Sequence, residues 1–318
     1  MKTGAWFGLL GGMTWAIDTL LIGIVLSSQL MMGDTSVLFL APLVSTFLHD
    51  LLSSLWMMIF LIMKGKLNLT VSKIRTRSGR FVMLGAILGG PIGMTFYVLG
   101  VQYLGASYTA AISAICPAMG AFFAFLFLKE RLRLFNWIGL TTSMIFIMVL
   151  GLSTNGDAKS SFMGFLFVCI CVISWSLEGV IYAYGVKNDE MTADEALQIR
   201  QWISALTYGI IIIPVFQGIT FTFDVIRHFE FSLIALTSFI GTISYLLYYQ
   251  SIKEIGPIKA MALNTTYSAW AVAFSILLLG TPFSWELTLC CMFILIGAMM
   301  AIMNPNARIK ARLSSQFR

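Results

Sequence analysis

The sequence predicts an all-α integral membrane protein of ten transmembrane helices arranged as two inverted five-helix repeats. Three observations carry that prediction. First, 58% of the 318 residues are hydrophobic and only 11% are charged, whereas a soluble domain carries about 25% charged and about 45–50% apolar residues. Second, the apolar residues form continuous runs of about 20, the length a helix needs to cross a hydrocarbon core about 30 Å thick. Alternation over about ten residues, the mark of a membrane β-barrel strand, is missing. Third, residue patterns recur in the same order in the two halves, 1–155 and 156–318.

The first span, near 5–30, follows Lys2; its apolar run is too long for a signal-peptide core and lacks an A-x-A cleavage pattern. It carries Gly8 and Gly12, then Trp15 and Asp18. The second, near 37–63, holds His49 and Asp50, and the third, near 80–103, repeats glycine at Gly85, Gly89 and Gly93 beside Gly90 and Pro91. Such a stripe admits a neighbouring helix closely, and the Gly-Pro step predicts a bend. The fourth, near 107–128, contains Pro117, which removes one helical hydrogen bond. The fifth lies near 134–153.

In the second half, the sixth span, near 161–186, carries Trp175, Glu178 and Tyr182 on one helical face. The seventh, near 196–216, contains Arg200, and Thr192 with Glu195 forms a capping box at its start. The eighth, near 229–252, presents Tyr245, Tyr248 and Tyr249; the ninth, near 258–279, presents Asn264, Tyr267 and Trp270; the tenth lies near 284–303. Trp15-Ala16-Ile17-Asp18 matches Trp175-Ser176-Leu177-Glu178, and the pairs Tyr97/Tyr248, Gly105/Gly256 and Ala111/Ala262 share one spacing with His49/Arg200 and Asp50/Gln201. Five spans per repeat is an odd number, so the second copy inserts upside down, an arrangement found in secondary transporters with a midplane site.

The net charge of +6 is an orientation signal. With the N-terminus inside, all 20 Lys and Arg residues except Lys159, Arg227 and Arg200 fall in cytoplasmic segments, so both termini are predicted to face the cytoplasm. Soluble-enzyme and nucleic-acid-binding classes are excluded by the same composition. The cysteines Cys116, Cys169, Cys171, Cys290 and Cys291 lie within apolar runs and read as buried free thiols. Two distant histidines, His49 and His228, fall short of a zinc ligand set, so no metal and no cofactor is expected. No P-loop, nucleophile elbow or paired metal motif is found, which argues against ATP hydrolysis and against an enzyme.

An ionised side chain in mid-membrane costs about 2.5–3.5 kcal/mol on insertion scales, so each needs a partner or a water-filled cavity. Asp18, His49, Asp50, Glu178 and Arg200 are the residues in question. Asp50 or Asp18 either neutralises Arg200 or serves coupling. Glu178 differs by its company, since rings beside a buried carboxylate make a cage for a cation, each ring contact contributing about 0.5–2 kcal/mol. A quaternary ammonium suits such a cage because it has no N–H donor to leave unsatisfied. The competing reading is that each aromatic stripe packs or faces lipid.

The layout, the Pro in the fourth span and "ISAICPAMGAFFAFLFLKERL" at Ile112 to Leu132, answered by "LNTTYSAWAVAFSILLLGTPF", resemble the EamA-type drug/metabolite transporter superfamily. Within it, "HDLLS", "GGPIGM", "EALQIRQ" and "SYLLYYQSI" resemble the LicB-type choline transporters of Gram-positive bacteria. That resemblance implies uptake of choline across the bacterial cytoplasmic membrane, with Trp15, Trp175, Glu178, the Tyr245/Tyr248/Tyr249 face and Trp270 as the cage and His49 and Asp50 nearby. Tyr267 and Asn264 join the candidate set on their spacing. Asp18 has no counterpart in the resemblance and leaves another cation, or a coupling role with a proton, open. An EamA-type exporter of amino acids or other metabolites is the alternative, with Arg200 gripping a carboxylate. The glycine stripes serve either a homodimer or packing within the chain.

Overall fold

The computed structural model describes residues 2–128, 133–152, 158–186, 191–255, 260 and 263–302, and all regular structure among them is helical. Among the described residues, seven helices are long and apolar enough to cross a membrane: Thr3–Leu26, Ser36–Met63, Arg77–Leu104, Ala106–Phe127, Ser161–Tyr182, Ala193–Val215 and Phe229–Ser251. Shorter apolar helices, Leu134–Val149, Tyr267–Leu279 and Trp285–Met300, stand where the fifth, ninth and tenth spans are predicted. In chain order these are segments one to ten. The turn predicted at Lys129 to Arg131, the link from Lys187 to Glu190, the repeat members Gly256 and Ala262 and the basic tail from Arg308 lie outside the described residues.

Segment ends follow from local chemistry. Asp34 Oδ1 accepts from the Val37 amide at 3.0 Å, and Thr76 Oγ1 from the Gly79 amide at 3.1 Å, satisfying donors that a helix start leaves open. Glu195 Oε2 accepts from the Thr192 amide at 2.8 Å, as the capping box requires. Gly105, at φ 83°, makes the tight turn between segments three and four, a conformation costly for any residue with a Cβ. Two short helices, Leu67–Lys73 and Ile219–Arg227, occupy connections between predicted spans.

Proline shapes the segments in three ways. Pro42 inside segment two cannot donate to the Leu38 carbonyl, and Gln102 Nε2 of segment three supplies that donor at 3.0 Å. The Gly-Gly-Pro stretch predicted to bend is a π-helical turn, Leu88–Met94, and a second π turn, Tyr208–Ile212, precedes Pro214. Pro117, predicted to interrupt span four, instead lies in the first turn of Cys116–Leu128, after a break at Ala114 and Ile115. There its missing N–H has no intrahelical acceptor to lose. Segment nine has its own break at Thr265 and Thr266, with no proline to announce it.

Segment one lies along segment eight and segment six along segment three; one packs on nine as six packs on four, and two on eight as seven on three. Segments two and seven pair, as do five and ten. Both predicted glycine stripes are engaged within the chain: Gly8 and Gly12 meet Leu263 and Asn264, while Gly85, Gly89 and Gly93 meet Glu178 and Trp175. All five cysteines are free, with Cys116 and Cys169 only half-buried.

Segments five and ten touch through small residues, because Ser143 Oγ donates to the Ile294 carbonyl at 2.9 Å and a methyl at Gly297 would come 2.4 Å from Ser143 Oγ. Gly297→Val is therefore expected to destabilise the protein by about 1–3 kcal/mol. Thermal unfolding in detergent reads this, and an unchanged midpoint would mean that the pair adjusts freely.

Candidate functional site

Four segments bring one ring each to a common centre. Trp15 of segment one stands 5.9 Å from Trp175 of segment six, 5.3 Å from Tyr245 of segment eight and 6.2 Å from Tyr97 of segment three, measured between ring centroids. Tyr97 and Trp175 lie 4.9 Å apart. Polar edges are tied down: Trp175 Nε1 donates to the Gly89 carbonyl at 2.9 Å, and the Tyr97 hydroxyl pairs with Thr19 Oγ1 at 2.8 Å. Glycine makes this approach feasible, since a methyl at Gly93 would lie 2.5 Å from Trp175 Cδ1.

The acid stands one helical turn from Trp175. Glu178 Oε1 accepts from Arg200 Nε at 2.7 Å, and the Arg200 guanidinium carbon stands 5.1 Å from the Tyr245 ring centroid. The Arg200 side chain is 6% exposed and that of Glu178 is 20% exposed. This corrects the expectation that Asp50 or Asp18 neutralises Arg200. The carboxylate reaches Arg200 because Gly89 leaves room for it: a methyl there would fall 1.7 Å from Glu178 Oε2. Arg200 Nη1 also donates to Gln201 Oε1 at 3.4 Å.

Asp18 and Asp50 serve His49 instead. His49 Nε2 is 3.2 Å from Asp18 Oδ1, and Nδ1 is 3.3 Å from Asp50 Oδ1. All three side chains are at most 3% exposed. Ser204 of segment seven donates to Asp50 Oδ2, and bare Gly241 of segment eight backs the imidazole. This group is linked to the ring cluster at both ends, since Asp18 follows Trp15 by one turn and Ser204 follows Arg200 by one turn.

The remaining predicted residues divide. Tyr249 stacks 6.4 Å from Tyr245 and 5.7 Å from Tyr248, extending the aromatic face along segment eight. Tyr267 is buried and its hydroxyl pairs with Ser113 at 2.7 Å, which ties segment nine to segment four. Asn264 Oδ1 is buried without a hydrogen-bond partner among the described residues and faces Gly11. Trp270 is not brought to the cluster: it is 36% exposed and stacks on Phe274 one turn away, as an outward-facing aromatic does. Tyr182 packs in a separate cluster with Met191 and Ile199. Tyr97 is a member of the ring cluster that the sequence did not single out as a candidate; its pairing with Tyr248 in the repeat was the available signal. Ser204 and Gly241 carried none.

The chain matches the model of the EamA-like transporter family over residues 2–152 and 162–303. It is 32% identical over 282 residues to protein LicB of Haemophilus influenzae, covering 88% of this chain and 90% of that protein. It is 23% identical over 241 residues to an uncharacterized transporter of Clostridium kluyveri, covering 73% of each. One solved crystal structure superposes with a TM-score of 0.60 over 94% of this chain and 95% of the other, at 15% identity, a likeness of fold.

Proposed function

Because the chain belongs to the EamA-like transporter family and is thus a membrane transporter, we propose that it imports choline or a similar quaternary ammonium across the bacterial cytoplasmic membrane. The observation that carries this reading is the convergence of Trp15, Tyr97, Trp175 and Tyr245 from four segments beside the carboxylate of Glu178. Ring faces attract a cation, and the carboxylate balances its charge. The resemblance to LicB-type choline transporters supports the same substrate class. Arg200 is paired with Glu178, so the carboxylate it grips is the protein's own, which weighs against an exporter whose arginine grips a substrate carboxylate.

In this reading both termini face the cytoplasm, and the halves 1–155 and 156–318 form inverted repeats that rock around the site. The negative interior draws the fixed charge inward by about 2.3 kcal/mol per 100 mV. Uptake by purified protein in liposomes tests it: choline is expected to accumulate with an inside-negative potential and a zwitterionic amino acid is not. Trp15→Ala is expected to raise the choline KM about 2- to 30-fold, the cost of one cation–π contact. Amino acid transport without choline transport would overturn the proposal.

The proposed proton carrier is the group of Asp18, His49 and Asp50. Two acids share one base there, so full ionisation leaves a buried net negative charge that one further proton removes. Ser204, the Arg200/Glu178 pair and the hydroxyls of Tyr97, Tyr208 and Tyr245 belong to its polar surroundings. An acidic exterior is expected to speed wild-type uptake and to lose that effect in Asp18→Asn and His49→Gln. An unaltered response to the proton gradient in both variants would remove the coupling role.

A further inference from the structure

Arg200 makes the two contacts that a caged cation needs. Its Nε is 2.7 Å from Glu178 Oε1, a charge-assisted bond, and its guanidinium carbon is 5.1 Å from the centroid of Tyr245, inside the roughly 6 Å reach of a cation–π contact. Tyr245 is also the ring nearest Trp15, at 5.3 Å. We infer that Arg200 is a tethered cation holding the substrate's place, so that Arg200 and the substrate exclude each other from Glu178. This rests on the cation reading of the site given above.

The arrangement explains why an arginine stands in the site of a cation carrier at all. An empty carrier has to return with its site unloaded, and a lone carboxylate crossing the low-dielectric interior is costly. Paired with Arg200, Glu178 returns neutralised; paired with substrate, it is neutralised as well, and the charge of the displaced Arg200 is left to Asp50, the other carboxylate that acts on it. Arg200 has somewhere to go when displaced. Gln201 Oε1 already accepts from Arg200 Nη1 at 3.4 Å and can keep hold of it, and Asp50, which accepts from Ser204 one turn along the same helix, offers the carboxylate. Arg200 also comes from segment seven, whereas Glu178 and Tyr245 come from segments six and eight, so relative motion of segment seven separates the pair without unfolding any helix.

The exchange also bears on selectivity. A guanidinium donates N–H bonds to Glu178, whereas a quaternary ammonium offers none. Such a substrate has to win through ring contacts and the membrane potential, and a small primary amine that fills the rings poorly gains less from displacing Arg200.

Equilibrium binding of radiolabelled choline to the purified protein in detergent, with net uptake and choline–choline exchange in liposomes, tests the inference. Arg200→Gln is expected to bind choline at least about tenfold more tightly, the value of a charge-assisted competitor removed. Net uptake is expected to fall relative to exchange, because only net uptake needs the empty carrier to return. Weaker choline binding by Arg200→Gln would overturn the inference and make Arg200 a support that positions Glu178. Should Arg200→Gln not be recovered as monodisperse protein, Arg200→Lys carries the test: an ammonium without the planar fork holds Glu178 less firmly, so choline affinity is expected to rise, and a fall overturns the inference. Absence of saturable choline binding by the wild-type protein would instead overturn the cation reading itself.

Discussion

Glu178→Gln is expected to reduce choline uptake by about 100-fold or more, the largest effect of any single isosteric change in the molecule. Two losses coincide. The substrate loses its counter-charge, and Arg200, 2.7 Å from the former carboxylate and 5.1 Å from the Tyr245 ring, becomes an unbalanced positive charge inside the cage. Truncating one partner of a buried charge pair typically costs about 2–5 kcal/mol, much of it from the charge left alone. The same imbalance lowers stability, so uptake has to be normalised to folded protein and thermal unfolding measured alongside. Glu178→Gln combined with Arg200→Gln separates the terms: the double variant is expected to regain stability without regaining wild-type uptake. Uptake within twofold of wild type in folded Glu178→Gln protein would show that the carboxylate takes no part in binding.

Membrane class and segment positions were legible because lipid imposes one rule along the whole chain: runs long enough to span, with charges pushed to the ends. Trp15, Trp175 and Glu178 were legible as candidate site residues for a related reason, since polar atoms inside apolar runs need a purpose. Partnership was not legible. Arg200 occupies the repeat position of His49, which pointed to Asp50; the actual partner follows from how segments six and seven are rotated and from the space beside Gly85 and Gly89. Helical spacing likewise placed Trp270 beside Tyr267, yet one faces outward and the other inward, a difference made by neighbours rather than by period. The break at Pro117 had a residue to mark it, whereas Thr265 and Thr266 had none.

Gly89→Ala is expected to impair transport nearly as strongly, although it removes no charge and touches no substrate. The added methyl would lie 1.7 Å from Glu178 Oε2 and 2.0 Å from its carboxyl carbon, distances no side chain tolerates. Either the carboxylate swings away from Arg200 or segments three and six part, and Trp175 Nε1, 2.9 Å from the Gly89 carbonyl, is drawn along in both cases. Displacing a binding group by about 1 Å commonly costs about 100-fold in activity. Gly179→Ala is the matched comparison. It neighbours Glu178 in sequence, but its methyl would meet nothing within 4 Å, so uptake there is expected to stay near wild type. Rescue distinguishes crowding from general damage, because Gly89→Ala with Glu178→Asp withdraws the carboxylate by one methylene and is expected to recover part of the uptake. Should Gly89→Ala alone transport normally, Glu178 would have to occupy a position other than the one beside Gly89, and the cage built around it would fall with it.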